Sequence, residues 1–181
     1  MTTAKSLAKS LFLLIVLSVL TTGIAHAQTS TPAQKATEPA ILDTTKYSVK
    51  IPAGWRHFDK NTGGFSALYI MGPKADNFFA NVNIVMVETG NITINEFLDG
   101  NMESLKKGNM APDSTGDFES NGRKGKFYTT KVDHNGTSIT IKSYFLLKDG
   151  FGYVLTGACL TSKRSTYYPV FDDIVKSFKL K

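Results

Sequence analysis

Two histidines are the first side chains to consider for chemistry, because imidazole is the usual acid, base or metal ligand near neutral pH. They are His57 and His134, since the third histidine, His26, lies in a predicted signal peptide. His134 follows Asp133, but adjacent residues of a strand point to opposite faces, so this pair does not offer two ligands to one metal ion. A turn beside them accounts for the Asp by itself. We therefore expect no metal site.

Carboxylates and motifs give no catalytic arrangement either. Asp172 and Asp173 are neighbours on a predicted helix and do not face each other as a catalytic pair would. The chain contains no H-E-x-x-H, no G-x-S-x-G and no G-x-G-x-x-G that opens a helix. We therefore expect no enzyme and no cofactor. An enzyme would need a pocket that brings His57 or His134 close to a carboxylate.

The only cysteine, Cys159, cannot form a disulfide within the chain. It lies in the apolar run YVLTGACL, where a free cysteine usually behaves as a small buried hydrophobic residue. A reactive thiol would need a nearby base or cation in a partly exposed site. We expect Cys159 to be buried and structural.

The only tryptophan, Trp55, follows Pro52-Ala-Gly54 in the stretch KYSVKIPAGWRHF. In one interpretation the chain leaves a strand sharply at this turn and Trp55 folds back over the end of the core, where burial of so large a side chain stabilises the fold. In the other, Trp55 stacks on a ligand, and His57 and Phe58 line the same pocket. Both interpretations stay open.

These side chains need a scaffold, and the pattern after residue 45 predicts strands and two helices. Strands are predicted over 47–51, 65–71 and 80–87, and the third is apolar on both faces, which indicates that both faces are covered. Thr93 and Glu96 have the spacing of a capping box at the start of a helix that ends near Gly108. The last helix has an apolar stripe and a proline, Pro169, that we expect in its first turn.

Two tight turns predict the pairing of the later strands. Asn135-Gly136 is typical of a two-residue hairpin, which places Phe127 opposite Tyr144. Asp149-Gly150 predicts a second hairpin, with Tyr144 opposite Leu155. One face of this part of the sheet is then dry, and the other mixes apolar residues with Lys131, Lys142 and Tyr144. The mixed face is a candidate site for a small anionic or amphipathic ligand.

The order of elements is three strands, a helix, about four strands and a helix. It predicts an α+β fold, an α/β/α sandwich in which two main helices flank a central antiparallel sheet of about six to seven strands.

The N-terminus is typical of an exported protein. Lys5 and Lys9, the apolar run LFLLIVLSVL and the sequence AHA predict a signal peptide over 1–27, with cleavage after Ala27. Residues 28–45 are rich in Thr, Ala, Pro and Ser and are expected to be a flexible leader, so the folded domain would span 46–181. No cysteine lies near the cleavage point, which excludes a bacterial lipoprotein. We expect a secreted or periplasmic location, with retention of the signal as an anchor left open.

Charge is mild and scattered. Loss of Lys5 and Lys9 lowers the count of Lys and Arg from 21 to 19 against 15 acidic residues, a net charge of +4. Nucleic-acid binding would favour a basic stripe with interleaved aromatic residues, so we expect no nucleic-acid partner. Asn91 and Asn135 begin glycosylation triplets, which matter only in a eukaryotic source.

Four stretches together resemble the PsbP-like superfamily, which includes the photosystem II extrinsic protein PsbP and periplasmic DcrB-like domains. They are YSVKIPAGW, VNIVMVE before the capped helix, the central hairpins, and YYPVFDDIVKSFKL at the end. The resemblance covers about residues 46–181 and implies an α/β/α sandwich around an antiparallel sheet. It implies no reaction, because proteins of one fold have unrelated functions.

We expect a non-catalytic accessory protein that binds a protein partner or a component of the cell envelope. Peripheral contact with a membrane would fit this function. The alternative is an exported domain that binds a small ligand on the mixed face. The candidate residues for either surface are Trp55, His57, Phe58, Lys131, Lys142 and Tyr144.

Overall fold

The computed structural model describes residues 34–35, 38–62, 65–76 and 78–181. The predicted signal peptide over 1–27 lies outside the described residues, as do residues 28–33 and 36–37 of the predicted leader. No helix in the described part of the chain is long and apolar enough to cross a membrane.

The described residues form an α+β sandwich of two antiparallel sheets and two helices, so the predicted fold class is confirmed. The large sheet has the strand order β1-β4-β5-β6-β10-β9-β8-β7, and the small sheet has the order β11-β3-β2. Helix α1 spans Ile94–Lys107 and helix α2 spans Arg164–Ser177, after a 3₁₀ turn at Thr161–Lys163. The strands are β1 Gln34–Lys35, β2 Ala40–Asp43, β3 Tyr47–Ile51, β4 Arg56–Thr62, β5 Phe65–Ala75, β6 Phe78–Glu88, β7 Pro112–Ser120, β8 Arg123–His134, β9 Thr137–Lys148, β10 Phe151–Leu160 and β11 Lys179–Leu180.

The capping box of α1 is present as predicted. The Thr93 hydroxyl accepts from the backbone N–H of Glu96, and the Glu96 carboxylate accepts from the backbone N–H of Thr93 at 2.8 Å. Two of the N–H groups that a helix start leaves without an intrahelical partner are thereby satisfied. The helix ends at Gly108, also as predicted.

Both predicted hairpin registers are confirmed. Phe127 lies opposite Tyr144 in the β8–β9 pair, and Tyr144 lies opposite Leu155 in the β9–β10 pair. Asn135 and Gly136 both have a positive φ, 50° and 76°, which the two-residue turn requires. Because side chains alternate along a strand, these registers assign each residue of the hairpins to one face of the sheet.

Each face of the large sheet carries its own hydrophobic core. On one face, the α1 face, Phe97, Leu98 and Leu105 of α1 pack with Val85, Phe145 and other buried residues. On the opposite face, the α2 face, Phe171, Ile174 and Val175 of α2 pack with residues of both sheets. The small sheet therefore lies on the same side of the large sheet as α2.

Several strands differ from the sequence prediction. β4 and β7 were not predicted, because RHFDKNT and PDSTGDFES lack a continuous apolar alternation and lie towards the two edges of the large sheet. β2 falls within the predicted leader, yet it pairs with β3, so residues 40–43 belong to the folded domain. β5 continues past Gly72-Pro73 through an irregularity between Met71 and Lys74, which accommodates a proline that has no N–H.

The position of Pro169 was predicted wrongly. It is the sixth residue of α2, outside the first turn. The missing N–H leaves the carbonyl of Ser165 without its usual intrahelical donor. Both residues are exposed, so water can bind that carbonyl.

Candidate functional site

The turn before Trp55 directs the indole into the core. The backbone N–H of Trp55 donates to the carbonyl of Pro52 at 3.1 Å, and Gly54 has a φ of 77°. Trp55 is 5% exposed and lies against Gly72, where a Cβ atom would come within 2.9 Å of the indole ring. Tyr167 of α2 contacts the indole edge-on, with 6.3 Å between ring centroids. The indole therefore closes the end of the core, as in the first interpretation.

His57 and Phe58 point to opposite faces of the large sheet. His57 lies opposite Ile70 on the α2 face, whereas Phe58 lies opposite Tyr69 on the α1 face and stacks on its ring at 5.5 Å. The structure therefore does not bring all three side chains of the second interpretation to one face, because adjacent strand residues project to opposite faces. The Nδ1 atom of His57 is buried and has no hydrogen-bond partner among the described residues.

The mixed face contains a cluster that we call the Lys142 cluster: Lys142, Tyr144, Asp172, Phe127 and Tyr168. The Lys142 ammonium lies 2.7 Å from Oδ1 of Asp172, and the Tyr144 hydroxyl donates to the same oxygen. The ammonium also lies 4.7, 5.0 and 5.3 Å from the ring centroids of Phe127, Tyr144 and Tyr168. These cation–π contacts and the ion pair enclose the charge, and the Lys142 side chain is only 12% exposed.

The Lys142 cluster attaches α2 to the sheet and does not leave a free cation for a ligand. Burial, followed by the hydrogen bond to Asp172, raises the pKa of Tyr144, which keeps its hydroxyl protonated as a donor. Burial also raises the pKa of Tyr168. Lys131 is exposed and lies opposite Thr140, outside the cluster. The structure therefore brings Lys142 and Tyr144 together but separates them from Lys131 and from the Trp55 turn.

Sequence reasoning did not identify Asp172 as the partner of Lys142. The two residues are 30 positions apart, on β9 and α2. The available signal was a carboxylate next to Phe171 on the helix and a lysine on an otherwise half-apolar strand. Neither local pattern specifies which helix turn lies over which strand residue.

Replacing Asp172 by alanine is expected to lower the free energy of unfolding by about 2 kcal/mol, because it leaves a buried ammonium without its counter-ion and a hydroxyl without its acceptor. Lys142→Met should cost less, since Asp172 is 35% exposed and water can solvate it. The double variant Lys142→Met/Asp172→Leu should lose less than the sum of the single changes in urea unfolding. Strict additivity would show that the ion pair contributes nothing.

A second surface of interest is a groove beside the Trp55 turn. The groove has a volume of about 230 Å³ and is bordered by the Pro52 turn, α2 and the start of β2. Lys50 borders the groove, and in the β2–β3 pair it lies directly opposite Ile41. The residues that line the groove are Pro39, Lys50, Pro52, Ala53, Val170, Asp173 and Ile174.

Ile41 is unusual in its exposure. Among the residues that the structure describes, it alone is a large hydrophobic side chain that stays exposed, with 75% of its surface accessible. Sequence reasoning missed it because residues 28–45 read as a leader. The short apolar run AILD was the only signal for a strand there.

Ionisable side chains do not gather into a metal site in the described part of the chain. There, no group of three or more His, Cys, Asp or Glu residues lies close enough to hold a metal ion. His134 pairs with its neighbour Asn135, with 3.2 Å between Nε2 and Nδ2.

Comparison with known proteins gives similarity in structure only. No family model matches the chain. No curated protein matches its sequence.

Several solved structures have a similar fold at low sequence identity. The solution structure of cyanobacterial PsbP (CyanoP) from Synechocystis sp. PCC 6803 aligns with a TM-score of 0.57 at 12% identity, covering 88% of this chain and 99% of CyanoP. The crystal structure of LpqN, involved in cell envelope biogenesis of Mycobacterium tuberculosis, aligns with a TM-score of 0.58 at 16% identity. The alignment covers 83% of this chain and 92% of LpqN. The crystal structure of a protein of unknown function from Pseudomonas aeruginosa aligns with a TM-score of 0.57 at 11% identity. The alignment covers 77% of this chain and 95% of that protein. The predicted resemblance is confirmed at the level of the fold: the chain has a PsbP-like fold.

Proposed function

We propose that this chain is an exported, non-catalytic binding protein of the cell envelope that contacts a protein partner through Ile41 and the adjoining groove. We call this region the docking surface. The observation that carries the proposal is the 75% exposure of Ile41, whose strand partner Lys50 borders a concave, mainly apolar groove. Apolar surface that a folded protein leaves in water is often covered in a complex.

The composition of the docking surface fits a protein interface. Its lining combines the apolar residues Pro52, Val170 and Ile174 with the charged residues Lys50 and Asp173. Interfaces commonly combine an apolar centre with a polar rim that limits the register of binding. The rigid turn at Pro52 and the helix α2 hold the two sides of the groove, which lowers the entropy cost of binding.

The cellular location is part of the proposal. It is supported by the sequence pattern of an export signal over 1–27. The fold is shared with LpqN, a protein involved in cell envelope biogenesis, and with CyanoP. A shared fold does not transfer a function by itself, so the proposal depends on the docking surface.

Site-specific photocrosslinking tests the proposal. With a benzoylphenylalanine at position 41, irradiation of intact producing cells is expected to give a discrete product of higher mass. The matched control places the same group at Lys106, an exposed residue of α1 on the other side of the sheet. Ile41→Glu, in a variant with the photoreactive group at Val170, should remove most of the product because it replaces the exposed apolar side chain of the docking surface by a charged one. No product at position 41, or equal products at 41 and 106, would contradict the proposal.

A further inference from the structure

Two tight turns of the large sheet carry the dipeptide Asn-Gly, which occurs in the chain only at these two places. Asn121-Gly122 joins β7 to β8, and Asn135-Gly136 joins β8 to β9. Asparagine is chemically labile, because the backbone nitrogen of the next residue can attack the carbonyl carbon of its side chain. A glycine at the next position has no Cβ atom to hinder that attack. Both turns are therefore candidate sites of spontaneous deamidation.

The backbones of the two turns are closely matched. The φ angles are 48° and 75° at Asn121 and Gly122, and 50° and 76° at Asn135 and Gly136. Each turn consists of two residues between a pair of facing strand residues. In such a turn the N–H of the glycine lies outside the strand ladder, so neither nucleophile is held by a ladder hydrogen bond. Backbone geometry therefore gives no reason for the two asparagines to react at different rates.

The Asn121 amide is held by the end of helix α2. Its Nδ2 donates to the backbone carbonyls of Lys176 and Phe178, at 3.0 Å each. The hydroxyl of the preceding Ser120 donates to the carbonyl of Val175 at 2.7 Å and anchors the same turn. Rotation of the Asn121 side chain towards the next backbone nitrogen breaks both hydrogen bonds of its amide. The contact with α2 therefore opposes the reaction at this turn.

The Asn135 amide has no such anchor among the described residues. Its Nδ2 lies 3.2 Å from Nε2 of His134, the residue before it. This contact lies within the turn itself, and Asn135 is exposed to water. The Asn135 side chain can therefore rotate towards the Gly136 nitrogen at a lower cost than the Asn121 side chain can towards its own glycine.

We infer that Asn135 is a site of spontaneous deamidation and that the contact with α2 protects Asn121. The Gly136 nitrogen gives its proton to water and attacks Cγ of Asn135, so a C–N bond forms. The bond from Cγ to Nδ2 then breaks, Nδ2 takes a proton from water and leaves as ammonia, and a five-membered imide remains. Water opens the imide at one of its two carbonyls, which gives aspartate or isoaspartate.

The products change the tip of the β8–β9 hairpin in two ways. Both add a carboxylate beside the cavity of about 350 Å³ that Gly136 and Asp76 line. Isoaspartate also adds one methylene group to the backbone of the turn, which no longer has the length that the hairpin register requires. These changes lie outside the docking surface, so the inference does not depend on the proposed function.

Peptide mapping by tandem mass spectrometry, with detection of isoaspartate, tests the inference. The purified protein is incubated in neutral buffer, and the conversion of each asparagine is followed with time. Asn135 is expected to react at least about tenfold faster than Asn121, which corresponds to the cost of breaking the two hydrogen bonds to α2. In urea, where the chain is unfolded, the ratio should fall below about threefold, because α2 no longer holds the Asn121 amide.

Asn135→Asp is the variant that identifies the site, since an Asp-Gly pair also suits the turn. It should remove the fast increase in intact mass, whereas the matched control Asn121→Asp should leave that increase unchanged. If Asn121→Asp does not fold, the peptide map of the unchanged chain still compares the two sites. The inference is overturned if Asn121 reacts as fast as Asn135 in the folded protein, or if the ratio is the same in urea. It is also overturned if Asn135 of the folded protein stays unconverted while the unfolded chain is converted completely.

Discussion

Replacing Phe171 by alanine is expected to lower the free energy of unfolding by about 3–5 kcal/mol, the usual cost of removing a buried aromatic side chain. Phe171 is 0% exposed at the centre of the α2 face. Its ring lies directly on Gly157 of β10, where a Cβ atom would come within 2.5 Å of the ring. The strand therefore offers no side chain that could fill the space left by the ring.

Urea unfolding followed by tryptophan fluorescence measures this loss, since Trp55 lies in the same hydrophobic core. The matched control is Val170→Ala, one residue earlier on α2 and only half-buried, which should cost less than about 1 kcal/mol. Equal losses in the two variants would contradict the assignment of Phe171 to the centre of the core.

The contact between Phe171 and Gly157 should also appear as a coupling. Gly157→Ala alone forces the ring away from β10 and is expected to destabilise the fold by at least about 1 kcal/mol. Combined with Phe171→Leu, the added methyl group gains room, so the double variant should lose less than the sum by about 1 kcal/mol or more. Additive losses would show that the helix shifts freely over the strand.

The second large effect is expected at alkaline pH. Burial raises the pKa of the Cys159 thiol to about 11 and that of Tyr47 to about 12. A group with a raised folded-state pKa stabilises the fold below its unfolded-state pKa, and this contribution is lost as the pH rises towards the folded-state pKa. From pH about 9 to 11, Cys159 should contribute a loss of about 2 kcal/mol and Tyr47 about 1 kcal/mol.

Other buried tyrosines increase the loss above pH about 10, where an unfolded tyrosine ionises. Burial raises the pKa of each of them: Tyr128, Tyr144, Tyr153 and Tyr168. Urea unfolding at pH 9 and at pH 11 measures the total change. Cys159→Ala is the control, since it should reduce the pH-dependent loss by about 2 kcal/mol even if it changes the stability at neutral pH. A free energy of unfolding that stays constant up to pH 11 would contradict the burial of these groups.

Local chemistry explains why parts of the fold could be predicted. The capping box of Thr93 and Glu96 and the turn at Asn135-Gly136 each involve a few consecutive residues, whose backbone preferences decide the geometry before any long-range contact forms. Once the turn is known, alternation assigns every side chain of β8 and β9 to a face. Pro169 shows the limit of this reasoning, because packing of α2 on the sheet overrides a local preference for the first turn.

The candidate sites depended on contacts that local patterns do not specify. The mixed face was predicted correctly as a face, but its lysine is paired with Asp172 of α2 rather than free. Ile41 belongs to a strand only because β3 is available to pair with it.

By itself, the sequence determined the class of fold, the registers of the two late hairpins, the start and end of α1 and the likeness to PsbP-like proteins. These features follow from periodicity and turn chemistry within windows of a few residues. Only the tertiary structure decided that Trp55 is buried, that Lys142 is neutralised and that Ile41 is exposed. Each of these depends on which distant elements cover a given side chain, and that is set by the packing of helices and sheets as a whole.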